Sequence, residues 1–119
     1  MSSENRQMPR YRDFARAWIE DLSQLPGVLE DVSKTGCKVR FSHVFPVDTD
    51  REYLLSIHPS CRSGIREFEL VVRPEWVREK DNSVDIGFSI LHSPGSKSHH
   101  SYIELLSENE DELFEEACQ

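Results

Sequence analysis

A short polar segment that interrupts a strand-like stretch carries side chains suited to ligand binding. Residues 31–36 follow the pattern D-x-S-x-x-G. Asp31 accepts hydrogen bonds, Ser33 both donates and accepts them, and Gly36 lets a ligand approach the backbone closely. Taken alone, the segment also fits a turn or bulge in which Asp31 and Ser33 satisfy neighbouring backbone groups.

Two arginines with the spacing R-x-x-x-R, Arg6 and Arg10, precede this segment. A guanidinium group can bind a phosphate in bidentate fashion, or stack on a base and hydrogen-bond its edge. Arg12 and Arg16 have the same spacing, but Arg16 falls inside the segment 13–20, which would be the first strand, and lies close to Asp31. We therefore favour Arg6 and Arg10. Taken alone, they also fit solvated charges in a mobile tail.

The sequence between and after these motifs predicts a mainly β domain. Residues 36–42 alternate apolar and polar side chains, as a half-buried strand does. Short strands separated by turn signals, without helical periodicity between them, indicate a small antiparallel barrel. The predicted strands are 28–33, 36–42, 51–58, 65–73, 75–80 and 84–92, and residues 13–20 fit either a strand or a helix.

The C-terminal part of the chain indicates helix. A loop at 94–98 is expected before a short helical segment at 102–106. Ser107 and Glu110 have the spacing of a capping box, which predicts a last helix beginning there. His99 and His100 are expected in a surface loop. They lack cysteine or acidic partners at ligand spacing, so no metal site is predicted.

Acidic charge is concentrated at the C-terminus. The net charge of the 119 residues is −8, and residues 98–119 contain seven acids and no lysine or arginine. The remainder is nearly neutral, and the first sixteen residues are locally basic. This distribution argues against binding to nucleic acid polymers, including a barrel that binds single strands, because such proteins present a basic face. It is compatible with a small anionic ligand at the basic end.

Length and residue usage predict one cytoplasmic domain. A chain of 119 residues fits a single domain. The sequence has neither the run of about 18 apolar residues that spans a membrane nor the apolar stretch of a signal peptide. Three widely spaced cysteines, Cys37, Cys61 and Cys118, predict reduced thiols rather than a disulfide framework or a zinc site.

The motifs, in this order and at this spacing, resemble those of the PilZ domain family, bacterial receptors for cyclic di-GMP. The arm arginines and the D-x-S-x-x-G segment match the two family motifs, and residues 85–88, Asp-Ile-Gly-Phe, match the end of the family's hairpin. The resemblance covers residues 5–92 and implies a six-stranded antiparallel barrel. The expected organisation is a flexible arm at 1–12, the barrel at 13–93, and a loop with an acidic helical tail at 94–119.

The resemblance also implies a function. The protein is expected to bind cyclic di-GMP, to order its arm on binding, and to signal through a protein partner that controls motility, attachment or exopolysaccharide. The residues predicted to bind the ligand are Arg6, Arg10, Asp31, Ser33 and Gly36, with Arg12 and Trp76 as secondary candidates. The alternative is a PilZ-like adaptor that does not bind cyclic di-GMP and acts only by protein–protein interaction. Neither enzymatic activity nor a cofactor is expected, since the sequence shows no nucleophile elbow or other catalytic context.

Overall fold

Six antiparallel strands close into a barrel, and one α-helix follows the last strand. This computed structural model describes residues 11, 15–59 and 64–108. The elements are β1 (Arg16–Trp18), β2 (Gly27–Val32), β3 (Gly36–Phe41), β4 (Tyr53–His58), β5 (Phe68–Lys80), β6 (Ser83–Ile90) and α1 (Ser96–Glu108). Their order around the barrel is β1-β2-β3-β6-β5-β4, and β1 pairs with β4 to close it. The predicted mainly β, six-stranded antiparallel barrel with a C-terminal helix is confirmed.

Alternate residues of each strand fill the barrel interior. Val39, Leu55, Leu70 and Ile86, from four different strands, are completely buried. Their neighbours along each strand point outward, because successive side chains of a strand lie on opposite faces. The outward residues of β2, β3, β5 and β6 therefore form a continuous outer surface that is available for binding.

The fifth strand differs from the prediction of two strands at 65–73 and 75–80. It is one strand, Phe68–Lys80, with a β-bulge between Pro74 and Trp76. Pairing of β4 with β5 ends at Val72, so that Pro74 has a neighbouring strand on one side only. A proline, which lacks the N–H donor, is tolerated at such a position. The sequence indicated a break or a bulge at Pro74, and the bulge lets the strand continue.

The helix also differs from its prediction, because it begins inside the expected loop at 94–98. Helix α1 starts at Ser96, and Ser107 lies in its last turn rather than at the start of another helix. The predicted capping box at Ser107 is therefore wrong. The Ser96 hydroxyl instead accepts a hydrogen bond from the Ser93 amide, at 3.1 Å. The Gly95 amide donates to the Glu69 carbonyl of β5 at 3.0 Å, which fixes the helix start against the barrel.

Helix α1 buries a face that includes a histidine. The buried residues are His99, Tyr102, Ile103 and Leu106, which have the i, i+3, i+4, i+7 spacing of one helical face. The Tyr102 ring meets the ring of Phe68 edge-on, with centroids 5.7 Å apart. His99 therefore lies in the core, whereas the sequence predicted a surface loop. His100, which follows it, is exposed, as the sequence predicted.

Both terminal segments of the expected organisation lie partly outside the described residues. Of the arm at 1–12 only Tyr11 is described, and of the tail only the part that ends with helix α1. Cys37 is a buried core residue, while Cys61 and Cys118 are not described. Within the described ranges, no helix has the length and apolar character needed to cross a membrane.

We expect the free energy of unfolding to fall as the pH drops below about 6.5, the ordinary pKa of histidine. Burial lowers the pKa of His99 in the folded protein; the hydrogen bond to the Ser33 carbonyl opposes this, and the neighbouring His100 adds to the lowering. The unfolded chain therefore takes up a proton more readily, and the full stability is present only above that pH. Urea midpoints measured from about pH 5 to pH 8 report the slope.

Two histidine substitutions provide the control. His99→Gln should flatten the slope, whereas His100→Gln, at an exposed position, should retain most of it. Equal slopes in wild type and His99→Gln would contradict the assignment to His99.

Candidate functional site

The D-x-S-x-x-G segment forms the end of β2, a tight turn and the first residue of β3. The Ser33 hydroxyl accepts hydrogen bonds from the amides of Thr35 and Gly36, at 3.3 and 3.1 Å. The Ser33 amide donates to the Gly36 carbonyl at 2.8 Å. Ser33 is only 1% exposed, so its hydroxyl is held within the turn. In this position the side chain shapes the backbone that carries Asp31 and Gly36.

The same turn is tied to helix α1. The Nε2 atom of His99 lies 2.9 Å from the Ser33 carbonyl oxygen. Because a carbonyl can only accept, Nε2 carries the proton and donates it to this bond. One residue therefore links the β2–β3 turn to the C-terminal helix.

A β-bulge turns Asp31 to the outside of the barrel. Leu29 pairs with Val39 on the inner face, and the register then shifts, so that Asp31 pairs with Lys38 on the outer face. Without the extra residue, strict alternation would place position 31 on the same face as Leu29. Asp31 is half-buried and stands beside Lys38.

Two of the sequence motifs and the secondary candidate Trp76 meet in one depression on the outer surface of β2, β3, β6 and β5, which we call the β3–β6 face. The depression has a volume of about 480 Å³. It includes Asp31 and Gly36 of the D-x-S-x-x-G segment, Trp76 of β5 and Gly87 of the family-like hairpin ending. The full lining is Asp31, Thr35, Gly36, Cys37, Lys38, Glu75, Trp76, Arg78, Gly87, Phe88 and Ser89.

An aromatic platform forms one side of this depression. The Trp76 ring lies directly over Gly87, where a Cβ atom would overlap the ring. The Arg78 guanidinium carbon is 5.2 Å from the ring centroid, within the range of a cation–π contact. Trp76 is 39% exposed. A flat, accessible ring of this kind can stack on a planar ligand group.

Most charges on the β3–β6 face are mutually paired. Arg40 forms a two-pronged hydrogen bond with Asp85, with Nε–Oδ1 and Nη2–Oδ2 distances of 2.8 and 3.3 Å. The Glu30 carboxylate forms two ion pairs, Oε1 with Nζ of Lys38 and Oε2 with Nη1 of Arg40, both at 3.3 Å. The hydrogen bond from Arg40 holds the pKa of Asp85 below its usual value, so this carboxylate is charged at neutral pH. Lys38 and Arg40 therefore offer little uncompensated positive charge to an anion.

A backbone bridge places Tyr11, the described residue of the predicted arm, beside the end of β2. The amides of Tyr11 and Val32 each donate to the other's carbonyl, both at 2.9 Å. Tyr11 follows Arg10 in the sequence and Val32 follows Asp31, so the bridge joins the two predicted motifs. The predicted residues Arg6, Arg10 and Arg12 themselves lie outside the described residues.

Arg16, the second arginine of the alternative R-x-x-x-R pair, is placed elsewhere. It is exposed on β1, where it pairs with Val28 and His58, and it does not line the depression. Among the predicted residues that are described, Asp31, Gly36 and Trp76 are brought together, and Ser33 supports them from within the turn.

Sequence reasoning missed Lys38, Glu75, Arg78 and Ser89, which also line the depression. Two of these residues could have been predicted from their spacing along the strands. Lys38 is the first outward position of β3 after Gly36, and Arg78 is two residues beyond Trp76 on the same face of β5. Within the described ranges, no three His, Cys, Asp or Glu side chains are grouped so as to hold a metal ion.

The fold, but not the sequence, is similar to a known protein. No protein-family model and no curated protein matches the chain. The solved structure of the Bacillus subtilis inhibitor of motility (MotI/DgrA) superimposes with a TM-score of 0.71 over 89% of this chain, at 10% sequence identity. The chain has a PilZ-like fold. It spans 52% of the length of MotI/DgrA, and at this identity the likeness concerns the fold alone.

Ser33→Ala should lower the free energy of unfolding by about 1–3 kcal/mol, because it leaves the buried Gly36 amide and the part-buried Thr35 amide without their acceptor. Ser89→Ala is the matched control. The Ser89 hydroxyl donates to the exposed carboxylate of Glu75 at 2.8 Å, and its loss should change stability by about 0.5 kcal/mol or less. Chemical denaturation measures both variants. Equal, small effects would show that the Ser33 hydroxyl does not support the turn.

Proposed function

We propose that this protein is a cytoplasmic receptor for cyclic di-GMP that orders its N-terminal arm on binding and signals through a protein partner. The observation that carries the proposal is the depression on the β3–β6 face. It unites Asp31, Gly36 and Trp76, and Tyr11, which follows Arg10 in the sequence, is bridged to Val32, which follows Asp31.

The groups around the depression suit the chemistry of this ligand. Cyclic di-GMP carries two phosphodiester anions and two guanines. Asp31 can accept from the N1–H and the amino group of one guanine, and the exposed Trp76 ring can stack on a base. Gly36 lets the ligand approach the backbone closely, and Gly87 leaves room for the Trp76 ring that lies over it. The Ser33 hydroxyl is engaged in the turn, so we assign it a supporting role, and its direct contact with ligand stays a prediction.

Charge supports a role for the arm. Because Lys38 and Arg40 are paired with Glu30 and Asp85, the main cation that the described lining offers to the two phosphates is Arg78, beside Trp76. Arg6 and Arg10 would supply the missing cations, each with a fork that matches a phosphate or a guanine edge. Closure of the arm over the ligand would order a segment of the chain and thereby convert occupancy into a conformational signal.

The output is proposed from the family resemblance and from the structural neighbour. MotI/DgrA is named as an inhibitor of motility. We extend control of motility to this chain as one candidate output, together with surface attachment and exopolysaccharide production. In each case the receptor would act by contact with a protein partner.

A second candidate function is an adaptor that acts only by protein contact and does not bind cyclic di-GMP. The observation that favours it is the balance of charge on the β3–β6 face, where ion pairs use the described lysine and arginine of β3. The two functions differ in what the arm arginines do, and removing one of them separates the functions.

Arg10→Ala should weaken cyclic di-GMP binding by about 10- to 150-fold, because it removes charge-assisted hydrogen bonds worth about 1.5–3 kcal/mol. Isothermal titration calorimetry measures the affinity, with cyclic di-AMP as the control ligand. Arg51→Ala is the matched control protein. Arg51 pairs with Asp21 and stacks on Tyr53 away from the depression, and its loss should leave the affinity unchanged.

The outcome assigns the function. Saturable binding that prefers guanine and is weakened by Arg10→Ala supports the receptor. Saturable binding that Arg10→Ala leaves unchanged would refute the assignment of the arm arginines and direct attention to Arg12 and Arg16. No binding of the wild type would leave the adaptor.

Asp31→Ala should weaken binding of cyclic di-GMP more than that of cyclic di-AMP, because the carboxylate pairs with donors that guanine has and adenine lacks. The ratio of the two affinities, measured by the same titration, is the readout. An equal loss for both ligands would mean that Asp31 holds the local backbone rather than reading the base.

A further inference from the structure

A second depression lies on the side of the barrel opposite the β3–β6 face. It has a volume of about 470 Å³ and is built on the outer surface of β1, β4 and β5. In the strand order of the barrel, the β1–β4 strand pair is diametrically opposite the β3–β6 strand pair. The two depressions share no lining residue. A molecule bound in one therefore leaves the other open.

The floor of this second depression is apolar and exposed. Leu54 is 47% exposed, although most leucines of the described barrel are buried. Trp18 lies beside it and meets the ring of His58 edge-on, with centroids 4.4 Å apart. Aromatic and leucine side chains presented together on an outer sheet surface are typical of an interaction surface.

Carboxylates surround this apolar floor. Glu20, Asp21 and Glu69 line the depression, and its described lining contains no lysine or arginine. Asp21 is paired at its edge with Arg51, at 2.6 Å. Glu20 and Glu69 are exposed. The surface therefore presents apolar contact area with negative charge at its margin.

We infer that this depression, which we call the acidic groove, docks a basic amphipathic segment of a partner protein. Charge complementarity identifies the occupant, since lysine or arginine side chains would meet Glu20 and Glu69 while apolar ones cover Trp18 and Leu54. The protein's own C-terminal tail is acidic, and a second copy carries the same net charge of −8. Both would be repelled.

The inference rests on the proposed function in one respect: the acidic groove would be the surface through which the receptor binds its partner. It needs no nucleotide, because the acidic groove and the β3–β6 face are separate. A titration without nucleotide therefore tests it alone, and failure of either proposal leaves the other standing.

The probe is a synthetic amphipathic peptide of lysine and leucine, labelled with a fluorophore and titrated with the full chain by fluorescence anisotropy. Two further peptides isolate the two contributions, one with glutamate in place of every lysine and one with serine in place of every leucine. We expect saturable binding of the first peptide and at least about tenfold weaker binding of the other two.

Variants locate the binding. Leu54→Asp should weaken it about tenfold, whereas Leu25→Asp, at a leucine 57% exposed outside the groove, should not. The double variant Glu20→Lys/Glu69→Lys should weaken peptide binding by at least as much as Leu54→Asp does. Its matched control is Glu79→Lys/Glu104→Lys, which changes the net charge equally at exposed positions outside the groove.

Three results would overturn the inference. Equal weakening by the groove and control variants would reduce the binding to unspecific charge attraction. Tighter peptide binding after removal of residues 1–10 would identify the protein's own arm as the occupant. A dimer in sedimentation that Leu54→Asp dissociates would identify a second copy as the occupant.

Discussion

Ser33 is the residue on which the arrangement of the β2–β3 turn depends. Its hydroxyl accepts hydrogen bonds from the amides of Thr35 and Gly36, and its carbonyl accepts one from Nε2 of His99. The first set of bonds shapes the turn that separates Asp31 from Gly36, and the second fixes that turn to helix α1. A buried polar residue is retained where all its hydrogen-bonding groups are satisfied. The candidate ligand face and the C-terminal helix thus share one anchor.

The β3–β6 face and the acidic groove lie on opposite sides of the barrel and differ in the side chains they present. On the β3–β6 face, the bulge before Asp31 and the bulge after Pro74 re-aim side chains so that Asp31 and Trp76 reach the same depression. Where β1 pairs with β4, regular pairing leaves Leu54 exposed and Trp18 half-buried among carboxylates. Bulges occur often beside binding sites because one extra residue changes the face a side chain occupies. The two surfaces lie on separate strand pairs of one closed barrel.

The sequence predicted most of the fold, since alternation with a period of two marks strands whose inner residues, such as Val39 and Ile86, are fully buried. It failed where local signals compete with tertiary contacts. Pro74 indicated a break or a bulge, and the structure has the bulge, which carries β5 through it. The helix start was missed because its buried face includes His99, whose burial depends on the distant carbonyl of Ser33. The motifs identified Asp31 and Gly36, whereas the convergence of Trp76 with them depends on the register across two bulges.

The most direct test of the account uses the two tryptophans of the chain, one in each depression. The indole N–H resonances of Trp18 and Trp76 are followed by NMR during a titration with cyclic di-GMP. The account predicts a saturable shift of the Trp76 resonance and an unchanged Trp18 resonance, with cyclic di-AMP producing a much weaker effect. A saturable shift confined to Trp18, or no shift at Trp76 at saturating ligand, would contradict the placement of the ligand on the β3–β6 face.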